Sequence, residues 1–196
     1  RAGEDLLRKL TYNVDMPTGA LQKGVYHLDR NESEKAEHYF RLAIKLDNYS
    51  APLRHEFAIA LSMMGRTSEA IDALKEAIRL DPAEAEYHYK LALAWNETGR
   101  TDNTVPSLIK AVQLNPRHSR AWYNLGLARN GMNQPEAAIA ALLKAENVEQ
   151  NDPDIPYARA TILLRLRRIP EAIEAAQRAL EIQPNYNPAR ALLQEL

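Results

Sequence analysis

An all-α chain of stacked helix pairs is the fold class this sequence predicts, and three observations predict it. First, Ala121-Trp122-Tyr123-Asn124-Leu125-Gly126 has a counterpart 34 residues earlier, Tyr87-His88-Tyr89-Lys90-Leu91-Ala92, and another 34 before that, Leu53-Arg54-His55-Glu56-Phe57-Ala58. A fixed period in this range marks a repeat architecture, and this one suits a two-helix unit. Second, small residues recur at that period: Gly24, Ala58, Ala92, Gly126 and Ala160 in one slot, and Ala43, Ala77, Ala111, Ala145 and Ala179 in another. Third, residues that end helices share slots, as Asn31, Gly65, Gly99 and Asn133 do. Gly and Asn tolerate the left-handed backbone that closes a helix.

Residues 1–16 come first. Leu6, Leu7, Leu10 and Val14 lie at helical spacing, with Glu4 and Asp5 in the opening turn where the helix dipole favours acids, so an N-terminal helix is expected. Met16-Pro17 ends it. Five units then follow without insertion: 17–50, 51–84, 85–118, 119–152 and 153–186. A third small slot holds Ala36, Ala70, Thr104, Ala138 and Ala172, and large residues fill the gaps between small ones, Phe40, Leu74, Leu108 and Leu142 in one slot and Phe57, Leu91 and Leu125 in another. Pro82, Pro116 and Pro184 close second helices, while Pro135 and Pro170 open them, where a missing N–H costs little. Pro106 lies a turn further in and is expected to distort its helix. Arg167 occupies the Gly/Asn slot of the last unit, which predicts a different turn there. Asn187-Pro188 opens residues 187–196, a partial capping helix with Leu192 and Leu193.

With Trp122, Leu125 and Gly126 early in the unit and Ala138 and Ala145 later, the pattern resembles the tetratricopeptide repeat over residues 17–186. The terminal units depart most: Ala20 and Pro156 replace the usual aromatic, and Lys23 and Arg159 the usual Leu. The resemblance implies a right-handed α-solenoid of antiparallel helix pairs, with first helices lining a concave groove, and a protein-binding scaffold rather than an enzyme.

Composition narrows the function. Lys plus Arg is 25 and Asp plus Glu is 26. That balance argues against bulk electrostatic binding to nucleic acid or an acidic membrane. With no Cys, disulfides, thiolate metal sites and Cys nucleophiles are excluded. No apolar run reaches the length of a membrane span, and no signal peptide is visible. The start at Arg1 suggests a piece of a longer or processed protein; the compartment, cytoplasmic or periplasmic, stays open. No catalytic constellation or cofactor motif occurs. His27, His38, His55, His88 and His118 form no metal-binding spacing, and His27 with His38 is the one conceivable pair.

The predicted work therefore falls to the groove, where side chains one period apart stand side by side. Leu21, His55, Tyr89, Tyr123 and Tyr157 share a slot, and its three Tyr at 34-residue spacing form an aromatic ladder. Tyr offers apolar area and a hydroxyl at low entropic cost. Val25, Ile59, Leu93, Leu127 and Thr161 form a largely apolar floor. Asn96, Asn124 and Asn130 can donate to and accept from a peptide backbone, and Lys90 and Arg120 add charge. A plainer reading has Lys90 and Arg120 in surface ion pairs with Glu86 or Glu97, each contributing about 0–1 kcal/mol. The Lys, Arg and Asn clamp by which some family members hold a C-terminal carboxylate is incomplete, since His55, Ile59, Tyr89 and Leu93 stand where it needs Lys and Asn. The expected function is capture of a peptide segment of another protein. The alternatives are self-association through the ends of the array, or a regulatory arm of a larger bacterial protein. Such arms occur on exported multihaem cytochromes, but no Cys-x-x-Cys-His is present here.

Overall fold

The structure, a computed structural model, describes residues 13–196. Most of the expected N-terminal helix lies outside them. Residues 13–16 form a turn rather than its last helical turn, closed by Met16 N–H donating to the Asn13 carbonyl at 3.0 Å. Met16 precedes a proline and is extended (φ −111°, ψ 141°), as the proline ring demands of its predecessor.

Among the described residues there are eleven α-helices and no strand. They are α1 (Pro17–Leu28), α2 (Ser33–Leu46), α3 (Ala51–Met63), α4 (Thr67–Leu80), α5 (Ala85–Glu97), α6 (Thr101–Leu114), α7 (Ser119–Gly131), α8 (Pro135–Val148), α9 (Asp154–Arg165), α10 (Ile169–Ile182) and α11 (Asn187–Gln194). The chain divides into two compact units, one through Arg100 and one from Thr101.

In the first unit, α1 packs on α2 and α3 on α4, and α2 and α4 each pack on the helix that follows. The core is built of Phe40, Phe57, Leu61, Leu74 and Trp95 around Ala36, Ala58 and Ala70. Each large side chain so buried contributes about 1.5–3 kcal/mol. A Cβ on Gly24 would stand 2.7 Å from the Phe40 ring, so the glycine in α1 is what lets the largest residue of its slot lie flat between helices. In the second unit α7 packs on α8, α9 on α10 and α11 on α10, around Leu142, Ile155, Leu163 and a run of alanines. Gly126 has the same role there, its missing Cβ 2.7 Å from Leu142 Cγ.

The turns repeat as closely as the cores. Asn31, Gly65, Gly99, Asn133 and Arg167 all have φ between 57° and 71°. Arg167 therefore does not change its turn, contrary to the expectation: its N–H donates to Leu164 O and the next N–H to Leu163 O, as Gly65 and Arg66 do to Ser62 and Leu61. Packing of the helices on either side imposes the left-handed conformation on a residue that disfavours it. At Pro106, α6 continues as a single helix. At the turn between pairs, Asp47, Asp81, Asn115 and Glu149 each accept the N–H two residues on, at 3.0–3.2 Å, an Asx-type turn.

A second device ties these turns to the next helix. Arg54, His88, Trp122 and Arg190 share a slot, and each offers a side-chain N–H to the carbonyl six residues back: Asn48, Pro82 (in the Nε2–H tautomer), Pro116 and Pro184. Pro156, in the same slot, has no N–H; there Arg178 reaches the equivalent Gln150 carbonyl from α10. Arg190 shows that α11 enters in the register of a further first helix.

Candidate functional site

In the first unit, α3 and α5 are first helices one period apart, so Ile59 and Leu93 lie side by side. They line a cavity of about 230 Å³ whose walls include Ser62, Met63, Lys90 and Glu97. Met63 and Glu97 follow Ile59 and Leu93 by one helical turn, which puts them on the same face. The slot is open and apolar at its centre: Met63 is 50 % and Leu93 36 % exposed. Single exposed apolar residues are ordinary, whereas two converging on a cavity are not. Lys90 Nζ sits 3.3 Å from Glu86 Oε1, the plainer pairing considered above, and both side chains remain partly in water, so the pair is worth about 0–1 kcal/mol.

Nine residues were expected in one groove, and they divide between the two units. His55, Tyr89, Lys90 and Asn96 belong to the first. Of these, Lys90 lines the cavity. His55 turns inward, its ring 5.1 Å from that of buried Tyr87. Tyr89 is itself 6 % exposed and presents little area to a partner. Asn96 is exposed.

Arg120, Tyr123, Asn124, Asn130 and Tyr157 belong to the second unit. Arg120 is exposed and Asn124 half-buried. The Asn130 side-chain oxygen accepts from the Arg165 guanidinium. Tyr123 and Tyr157 are half-buried and pack against the second core. Tyr157 meets a third phenol that the slot pattern did not include: Tyr186, whose ring centroid is 5.6 Å from that of Tyr157 at 72°. Its hydroxyl donates to Asp154 Oδ1. Burial, then that hydrogen bond and the Asp154 charge, raise the Tyr186 pKa well above the usual phenol range. Burial followed by the charges of Asp154 and Asp152 raises that of Tyr123. Tyr186 escaped the periodic reading because its slot elsewhere holds Ser50, Glu84, His118 and Asp152. An aromatic residue among those polar residues was the available signal.

Among the described residues no group of His, Asp and Glu could hold a metal ion, and no helix is long and apolar enough to cross a membrane.

Comparison with known proteins now adds to this geometry. Family models described as TPR repeat and tetratricopeptide repeat match residues 60–99, and 105–154 with 129–187, respectively. The chain belongs to the tetratricopeptide repeat family. No curated protein matches it. Among solved structures, MamA is similar at TM-score 0.79 and 21 % identity, over 86 % of this chain and 92 % of that one. YrrB, described as a TPR protein with an unusual peptide-binding site, aligns at TM-score 0.77 and 19 % identity, over 93 % and 94 %. PilF of Pseudomonas aeruginosa gives 0.75 and 23 %, over 85 % and 76 %. At these identities the likeness is one of fold.

Proposed function

We propose that this chain is a non-catalytic interaction module that holds a peptide segment of another protein against its first helices. The observation that carries the reading is the open cavity between α3 and α5, where Ile59, Met63 and Leu93 expose apolar surface between the polar groups of Lys90, Glu97 and Ser62. An apolar slot with a few polar groups at its rim is the usual form of a side-chain pocket. Its size suits one or two anchoring side chains, and anchors of that kind carry most of the energy of a peptide interface. Family membership supports the reading, as does YrrB, a similar fold described as having a peptide-binding site. The five 34-residue units belong to the same proposal, because within each compact unit they set successive first helices side by side.

Random-peptide display tests it. The chain is panned against a library, with Leu93→Asp as counter-selection. Enriched peptides should carry a large apolar residue and should lose about 2 kcal/mol or more of affinity for the variant. Enrichment indifferent to Leu93→Asp and Ile59→Asp, or no enrichment at all, would refute the cavity as the site.

A further inference from the structure

The second unit gathers three phenols and two carboxylates at one corner, drawn from three places in the chain. Tyr123 stands on α7, Asp154 and Tyr157 one turn apart on α9, and Tyr186 at the turn before α11. The Tyr157 and Tyr186 ring planes lie 72° apart with centroids 5.6 Å from each other, so two aromatic faces are set nearly at right angles. Tyr186 donates its hydroxyl to Asp154 Oδ1, which holds the carboxylate beside the Tyr186 ring. Asp152 lies next to it and accepts the Asp154 N–H at 3.0 Å. Asp154 is exposed and the three phenols are half-buried. Among the described residues no Lys or Arg forms an ion pair with either aspartate. Three arginines of this unit are engaged otherwise: Arg159 with Glu146, Arg178 with Glu146 and Glu181, and Arg190 with the Pro184 carbonyl.

This combination selects a type of ligand. Ring faces carry the negative lobe of the aromatic quadrupole and attract a cation placed over them. Two uncompensated carboxylates at the edge add charge of the same sign. A neutral or anionic group gains nothing from either. A guanidinium can stack flat on a ring while its fork of N–H donors reaches a carboxylate, a geometry an ammonium cannot match. In a chain whose net charge is −1, such a corner is a local property rather than part of a general acidic field.

We infer that Tyr123, Tyr157, Tyr186, Asp152 and Asp154 form a subsite for a cationic side chain, arginine foremost, on a protein segment bound at the second unit. The inference names the chemistry of the partner and rests on the peptide-binding reading above. It commits to a basic peptide; a segment that is neutral throughout is the competing occupant.

The test uses small probes on the full chain. Tyr ring signals are followed by NMR during titration with Nα-acetyl-arginine amide, and separately with Nα-acetyl-citrulline amide, its neutral near-isostere. Saturable shifts at Tyr157 and Tyr186 are expected with the arginine probe, with the citrulline probe weaker by about fivefold or more. Asp154→Asn keeps an acceptor for Tyr186 and removes one of the two charges, so it should weaken the discrimination. Tyr157→Phe should retain the response, and Tyr157→Leu should lose it while leaving the carboxylates in place. Equal response to both probes, no saturable response, or full discrimination in Asp154→Asn would each overturn the subsite. Because the free probe needs no partner peptide, its failure leaves the display result at the α3–α5 cavity standing, and a failed display does not alter the probe result.

Discussion

Adding one methyl group at Gly126 tests how closely α7 and α8 are packed. A Cβ there would lie 2.7 Å from Leu142 Cγ, 2.9 Å from Leu142 Cδ2 and 3.2 Å from the Ala138 carbonyl oxygen. Relief requires a retreat of about 0.8 Å to reach the ~3.5 Å optimum between carbons. Leu142 is fully buried and the Ala138 oxygen is backbone, so neither can swing out into water. Overpacking of this kind costs about 1–3 kcal/mol. Replacing Gly by Ala inside a helix recovers about 0.5–1 kcal/mol. Gly126→Ala should therefore destabilise by up to about 2.5 kcal/mol. The decisive measurement is its cycle with Leu142→Ala. That change alone costs about 2–5 kcal/mol but vacates the space the new methyl needs, so in its background Gly126→Ala should become stabilising by about 0.5–1 kcal/mol. Urea unfolding followed by circular dichroism reads both legs, provided the m values agree. Additive effects around the cycle would refute the close crossing.

Three further outcomes are expected. Arg167→Gly should raise stability by about 1 kcal/mol in the same assay, because Arg167 holds φ 62°, where an L-residue is strained by about 1–2 kcal/mol and glycine is not; a loss would show that the side chain contributes more than its backbone strain costs. Glu146 receives Arg159 at 3.1 Å and Arg178 at 3.7 Å, and both Arg159 and Glu146 are largely buried. Glu146→Leu should thus cost about 3 kcal/mol by stranding Arg159, whereas Arg159→Leu, which leaves Glu146 its second arginine, should cost less than about 1 kcal/mol; the reverse order would show that Arg159 is not stranded. Tyr186 keeps its proton in the folded chain past the value at which the unfolded chain releases it. The stability it contributes is therefore intact below about pH 10 and falls as pH climbs above that. Tyr186→Phe should flatten the alkaline decline in part, with Tyr87 and Tyr123, also raised by burial, accounting for what remains; an unchanged profile would contradict the Asp154 contact.

The helix pairs were legible because their packing leaves few chemical choices. Where two helices cross, only small residues fit, and Gly24 under Phe40 shows how such a slot is read from its partner. Arg167 misled for the opposite reason: a propensity is a local preference, and the packed helices on both sides overrode it. The candidate site was less legible. Tyr89, Tyr123 and Tyr157 occupy one slot in the sequence, yet Tyr89 is buried and the other two are half-buried, because exposure depends on neighbours that a period of 34 cannot specify. Ile59 and Leu93 were recognised as a floor, but Met63 and Glu97, one turn along, complete the cavity. Tyr186 broke the periodic pattern, and patterns hide what breaks them.

The bond from Arg54, His88, Trp122 or Arg190 to a carbonyl six residues back has a consequence for how such chains can diverge. These side chains differ in size, charge and shape, and have in common an N–H at the end of a sufficient reach. Selection at this position can therefore act on a donor rather than on a residue type, and exchange among the three costs the turn little. A comparison that scores residue identity counts Arg54 and His88 as losses of the tryptophan, although the strut they provide to the turn is preserved.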